Sequence, residues 1–147
     1  MFSSLAALFL LVASMAACAE TPKTATGLEA LSELRWRNRL ILVANTEGSK
    51  EVIKTLQKNK AELDERDTVW IVIDEPSAHS NLLLALTLPV MEEVATILGE
   101  SNVVLLGKDG GVKARASNLD LEKLYGLIDS MPMRRQEMSL SREGRRL

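Results

Sequence analysis

The chain has 147 residues, 46% of them hydrophobic, and its 18 basic and 20 acidic residues, a formal net charge of −2, all follow Ala19. The 128 residues beyond that point are enough for one ordinary domain and too few for a second. A single histidine, His79, and a single cysteine, Cys18, exclude zinc ribbons, haem attachment, a disulfide scaffold and Cys-His nucleophiles in the body of the chain.

Residues 1–19 read as a secretory signal. Phe2 to Val12 form an apolar stretch too short to span a membrane, and the small residues Ala13, Ser14, Ala16, Ala17 and Ala19 follow it. Ala17-Cys18-Ala19 fits the small-x-small pattern of signal cleavage, which sets the expected mature start at Glu20. The alternative makes Cys18 the lipid-modified first residue of a membrane-anchored lipoprotein, since Met15-Ala16-Ala17-Cys18 resembles that cleavage box with Met15 in place of the usual Leu. The expected location is exported, periplasmic or secreted, with no transmembrane span in the mature chain. Phe2 and Phe9 belong to this leader, so Trp36, Trp70 and Tyr125 are the aromatics left to a largely aliphatic core.

Residues 20–35 form an N-terminal segment in which Leu28, Leu31 and Leu34 have the spacing of a short helix. Arg39 to Ala44 then predict a strand buried on both faces. Gly48-Ser49 start a charged helix running to about Glu62, with Val52, Ile53, Leu56 and Leu63 on one side. Thr68 to Ile73 predict a second buried strand, parallel to the first through a right-handed crossover. Asp74 to Leu88 give no decisive period and stay unassigned. Pro89 opens a helix bearing Val90, Met91, Val94, Ile97 and Leu98 on one face and closed by Gly99. Its Glu92 and Glu93 read as a charged face rather than an acid/base pair.

Asn102 to Leu106 and Val112 to Ala116 predict a third and a fourth strand, joined in a hairpin by Gly107-Lys108-Asp109-Gly110-Gly111. The alternation of Val112, Ala114 and Ala116 with Lys113 and Arg115 suits an edge strand. Ser117 or Asn118 caps a last helix, with Leu121, Leu124, Ile128 and Met131 as its buried stripe and Pro132 as its end. The expected fold is α/β: a four-stranded mixed sheet flanked by helices in the order β-α-β-α-β-β-α. This is the thioredoxin-like order, assigned to residues 36–133, and the antiparallel hairpin disfavours a flavodoxin-like alternative. Residues 134–147 complete a C-terminal segment in which Arg134, Arg135, Arg142, Arg145 and Arg146 face only Glu137 and Glu143. It reads as a frayed, solvated tail, with attraction of a polyanion as the rival reading.

Four motifs carry a family resemblance. They are Trp36-Arg37-Asn38-Arg39, Glu65-Arg66-Asp67, Gly107 to Lys113, and Ile128-Asp129-Ser130-Met131-Pro132-Met133-Arg134-Arg135. Over about Leu31 to Glu137 the chain resembles domain-of-unknown-function family 4174. The resemblance implies a fold similar to thioredoxin and peroxiredoxin domains and occurrence in exported bacterial proteins and animal extracellular matrix proteins. It implies no activity. Two departures stand out: an apolar Leu82 to Leu88 connection, and Gly99-Glu100-Ser101-Asn102 where thioredoxins have a proline before the third strand.

Thiol chemistry needs a low-pKa cysteine after the first strand, and Asn45-Thr46-Glu47-Gly48 stands there instead. Thr46 has no expected base, because His79 reads as a solvated loop residue. The glycine-rich hairpin joins two strands and so is no phosphate loop, which must open a helix. Met131 and Met133 have no Cys or His beside them and read as packing rather than a soft-metal site. No cofactor and no metal is expected, and no nucleic-acid partner. Trp36, flanked by Arg35, Arg37 and Arg39, either stacks on a ligand or covers the core edge.

The topology brings the motifs to one sheet edge, opposite the usual thioredoxin active site. The candidate ligand-binding residues there are Trp36, Arg37, Arg39, Arg66, Asp67, Lys108, Asp109, Lys113, Arg134 and Arg135. The functional reading gives this edge an anion held by the arginines and Lys108, with Trp36 as a stacking face. The plainer reading is an ion-pair network in which Asp67, Asp109 and Asp129 satisfy the cations. Two function classes remain: a non-catalytic module that binds an envelope or extracellular polyanion or another protein, and an enzyme with a thiol-independent site of Arg, Lys and Asp residues.

Overall fold

The computed structural model describes residues 27–44 and 48–145; the leader with Cys18, the expected cleavage after Ala19, and Asn45 to Glu47 lie outside them. A short strand β1 (Gly27–Leu28) and a 3-10 turn (Leu31–Leu34) lead into β2 (Arg39–Val43). Next come α1 (Ser49–Lys58), α2 (Lys60–Glu65), β3 (Thr68–Asp74), β4 (Ser77–Ser80) and β5 (Ala85–Leu86). The chain continues through α3 (Leu88–Leu98), β6 (Val103–Leu106), β7 (Val112–Ala116), α4 (Leu121–Ser130) and α5 (Pro132–Gly144).

The main sheet has the order β4-β3-β2-β6-β7. β2 and β3 are parallel, β6 runs against β2, and β7 returns antiparallel to β6. Alternation along β2 divides the core: Leu40 and Leu42 join Ile71, Val90, Val94 and Val104 on one face. Ile41 and Val43 join Leu56, Leu63, Trp70, Leu105, Leu124 and Ile128 on the other. Both faces of the central strands are therefore covered, which is why β2 and β3 read as continuous apolar runs.

Five expectations need correction. The sheet has five strands, not four, because Ser77-Ala78-His79-Ser80 from the unassigned segment pairs antiparallel with Ile71 to Asp74. A polar edge strand needs no apolar alternation, so periodicity missed it, and His79 lies in this strand rather than in a loop. Asn81 extends the pairing with its side chain, accepting from the Trp70 N–H at 2.9 Å and donating to the Thr68 carbonyl at 3.2 Å.

The helix expected to run unbroken to about Glu62 is two helices, parted at Asn59. The Asn59 side chain takes the Thr55 carbonyl at 2.8 Å, the kind of local competition that breaks a helix. The cap of α4 is Asp120, whose Oδ1 accepts from the Lys123 N–H at 3.0 Å, rather than Ser117 or Asn118. Finally, the frayed tail is helical to Gly144: Pro132 suits a first helical turn, and Arg134 is buried.

Candidate functional site

Arg39 begins β2, and Arg66-Asp67 sit immediately before β3, at the same end of two parallel strands. Because β6 is antiparallel, its far end at Leu106 lies opposite Leu40, which delivers the Gly107 to Gly111 turn to that end. α4 ends there, and α5 starts there. Backbone bonds lock the assembly: Trp36 donates to the Lys108 carbonyl at 2.6 Å and Arg39 to the Asp67 carbonyl at 2.9 Å. Trp36 and Asp67 both hold positive φ, 66° and 47°. Such backbone persists only where surrounding contacts dictate it, as these bonds and the Asp67 ion pair do.

Four cations are buried or nearly so, and each is matched. The Arg39 guanidinium, 1% exposed, donates to both oxygens of Glu137 at 3.2 Å and to the Arg66 carbonyl at 2.8 Å. Lys108 Nζ bridges Asp67 at 2.8 Å and the same Glu137 at 2.7 Å. Arg66 forks onto Asp129 at 3.1 and 2.7 Å, pairs with Glu62 at 2.7 Å, and lies 4.5 Å above the Tyr125 ring. Arg134 shares Asp129 at 3.1 Å and reaches the Glu65 carboxylate and carbonyl at 2.9 and 2.7 Å.

Protonation follows this pairing. Burial pushes the Glu137 carboxyl up, but hydrogen bonds from Lys108 and Arg39 and their charges outweigh it, so it sits below its ordinary value. Burial likewise opposes, and bonds from Arg66 and Arg134 overcome, in holding Asp129 low. Burial would lower Lys108, yet the bonds to Asp67 and Glu137 raise it. All these groups are charged at neutral pH.

Of the ten candidates, Arg39, Arg66, Asp67, Lys108 and Arg134 thus belong to one connected network. Asp109 and Lys113 pair within the hairpin at 2.7 Å, where the Lys113 bond and then the Gly111 N–H hold the Asp109 carboxyl low. Trp36 is 63% exposed, and Arg37 and Arg135 are exposed with no ion pair from either side chain among the described residues. Glu137, the hub of the network, escaped the sequence reading because it counted only as charge in a solvated tail. Its place three residues after Arg134 on a helix was the available signal. Glu62 and Glu65 were left out as well, Glu62 as part of a charged helix and Glu65 as part of a family motif only.

A pocket of about 310 Å³ opens beside the network, lined by Arg39, Gly107, Lys108, Asp109, Lys113, Met131, Pro132 and Met133. Among the described residues no group of three His, Cys, Asp or Glu residues is placed to hold a metal ion, and no helix is long and apolar enough to cross a membrane.

The chain belongs to the family described as a domain of unknown function (DUF4174), whose model matches residues 30–137 and so contains all ten candidates and Glu137. No curated protein and no solved structure matches the chain.

Proposed function

We propose that this chain is an exported, thioredoxin-like binding module without redox chemistry, and that its contact surface is the edge bearing Trp36, Arg37 and Arg135. Support for the fold reading comes from β3, β2, β6 and β7, which have the strand order and directions of a thioredoxin-like core, with β4 added at the outer edge. Support for a non-redox role comes from the sequence after Ala19, which holds no cysteine.

The observation that carries the binding reading is a division among the edge residues. Each buried cation is paired with a carboxylate, whereas the guanidinium groups of Arg37 and Arg135 face solvent and Trp36 presents an aromatic face. Saturated buried pairs hold shape; exposed, uncommitted arginines and an exposed indole are what a polyanion or an acidic protein surface meets. Support for export comes from the charge-free leader and Ala17-Cys18-Ala19.

The test is binding to a sulfated polysaccharide and to lipopolysaccharide at low salt, comparing the native chain with Arg37→Ala/Arg135→Ala and Trp36→Ala. Both variants should keep the native melting temperature and lose most binding, and binding should weaken steeply as salt rises. Equal binding by all three chains would remove the edge as the contact surface. The native protein should also fail to reduce insulin disulfides.

A further inference from the structure

The pocket beside the network has a chemistry that the edge reading does not use. Its walls are apolar at Met131, Pro132 and Met133, and Arg39, Lys108 and Lys113 supply cationic donors. Pro132 and Met133 are the first residues of α5, a 13-residue helix whose first turn has no side-chain cap, so the positive end of that helix opens on the same space. Independently, Arg39 Nε is buried without a hydrogen-bond partner among the described residues, although Arg39 itself is almost wholly enclosed. The Arg39 side chain, an uncapped helix start and an apolar wall thus border one cavity, with the Arg39 Nε donor enclosed behind it.

The charge balance selects the ligand. Glu137 and Asp67 already neutralise Arg39 and Lys108, so the pocket offers donors rather than a large charge excess. Among the described residues Lys113 is held only by Asp109, on an exposed hairpin. A polyanion is therefore poorly matched to the cavity, whereas a monoanion that takes the place of Asp109 at Lys113 and lays an apolar body on the methionines is well matched. A volume of about 310 Å³ suits a small ligand. We infer that this pocket is a binding site for a small carboxylate with an apolar tail, either a free short-chain acid or the C-terminal carboxylate of a peptide ending in an aliphatic residue. The inference rests on the edge reading only in locating function at this end of the sheet.

Titration of the full chain with hexanoate, hexanol and hexylamine, followed by amide chemical shifts, tests it. Hexanoate should move the signals of Gly107, Lys108 and Met133, and hexanol and hexylamine should leave them in place. Removing the carboxylate's main partner with Lys113→Met should weaken hexanoate about tenfold, the worth of one charge-assisted hydrogen bond. Lys113→Arg should retain binding. Asp109→Asn removes the internal competitor and should tighten binding, an outcome that a merely structural role for Asp109 would not produce. A peptide ending in leucine with a free carboxyl, set against its amide, separates the two sources: binding of the free-carboxyl peptide assigns peptide ends, and binding of hexanoate alone assigns free acids. Absence of shifts with both carboxylates, or hexanol binding as well as hexanoate, overturns the inference. Arg37→Ala/Arg135→Ala should bind hexanoate normally, so the pocket fails or stands apart from polyanion binding at the edge.

Discussion

Arg39 and Glu137 are 98 residues apart in sequence and hold each other through two parallel hydrogen bonds of 3.2 Å. One opens the central strand β2 and the other lies in α5, so the pair fastens the C-terminal helix to the core. Arg134, the buried residue of α5, adds the second attachment at Asp129 and Glu65. The helix is thus held largely by charge rather than by apolar packing.

Removing one member of this pair should cost more than replacing both with apolar residues. Glu137→Ala leaves Arg39 buried without its carboxylate and should destabilise the fold by about 2–3 kcal/mol, discounted from the range for fully buried pairs because Glu137 is partly exposed. Arg39→Met/Glu137→Met should recover much of that loss, the rest reflecting Lys108 left with Asp67 alone. Urea unfolding of both single variants and the double variant gives the coupling directly, and additive losses would mean that the bridge is not the clamp.

Stability should fall on acidification in a defined window. The Glu137 and Asp129 carboxyls sit below their ordinary values of 4.5 and 3.8 in the folded chain. Their contribution is therefore fully present above those values and is lost as pH falls through the lowered folded values. Lys108 is raised above its ordinary 10.5, so its contribution is full below that point and is lost only as pH rises through the higher folded value. Urea midpoints should be level between neutrality and pH 5 and drop below pH 4.5. Glu137→Gln should show a smaller acid drop from a lower plateau.

The hairpin turn depends on Gly110, which has φ of 80°, and a Cβ there would stand 2.8 Å from Arg35 Nε. Gly110→Ala should cost about 1 kcal/mol from the left-handed backbone, with the flexible Arg35 guanidinium moving aside. Gly110→Asn, which tolerates that conformation better, should lose about half as much in a thermal melt.

Protein recovered from the cell envelope or medium should have the intact mass of a chain beginning at Glu20, with no thiol titratable by Ellman's reagent. A mass corresponding to diacylglycerol on Cys18 would instead give a membrane-anchored lipoprotein.

The sequence by itself determined the strand-helix-strand start, the α3 helix, the Asp-Gly hairpin and the edge at which four distant motifs meet. These are written in periodicities of two and 3.6 residues and in turn chemistry, all of which act locally, and strand direction then dictates which ends coincide. Ion pairing between elements distant in sequence has no period. Whether Arg39 or Arg37 would be buried followed from the partners that reached each one, and Glu137, Glu65 and Asp129 arrive from other elements. A run of arginines after Pro132 looked like solvated charge because nothing in the run itself reports the carboxylates waiting on the core. Strand β4 was likewise decided in space, since Ser77 to Ser80 become a strand by pairing with β3 and with help from Asn81. Tertiary structure alone separated the buried, paired cations from those left facing solvent, because burial and pairing depend on what the rest of the chain brings to the same place.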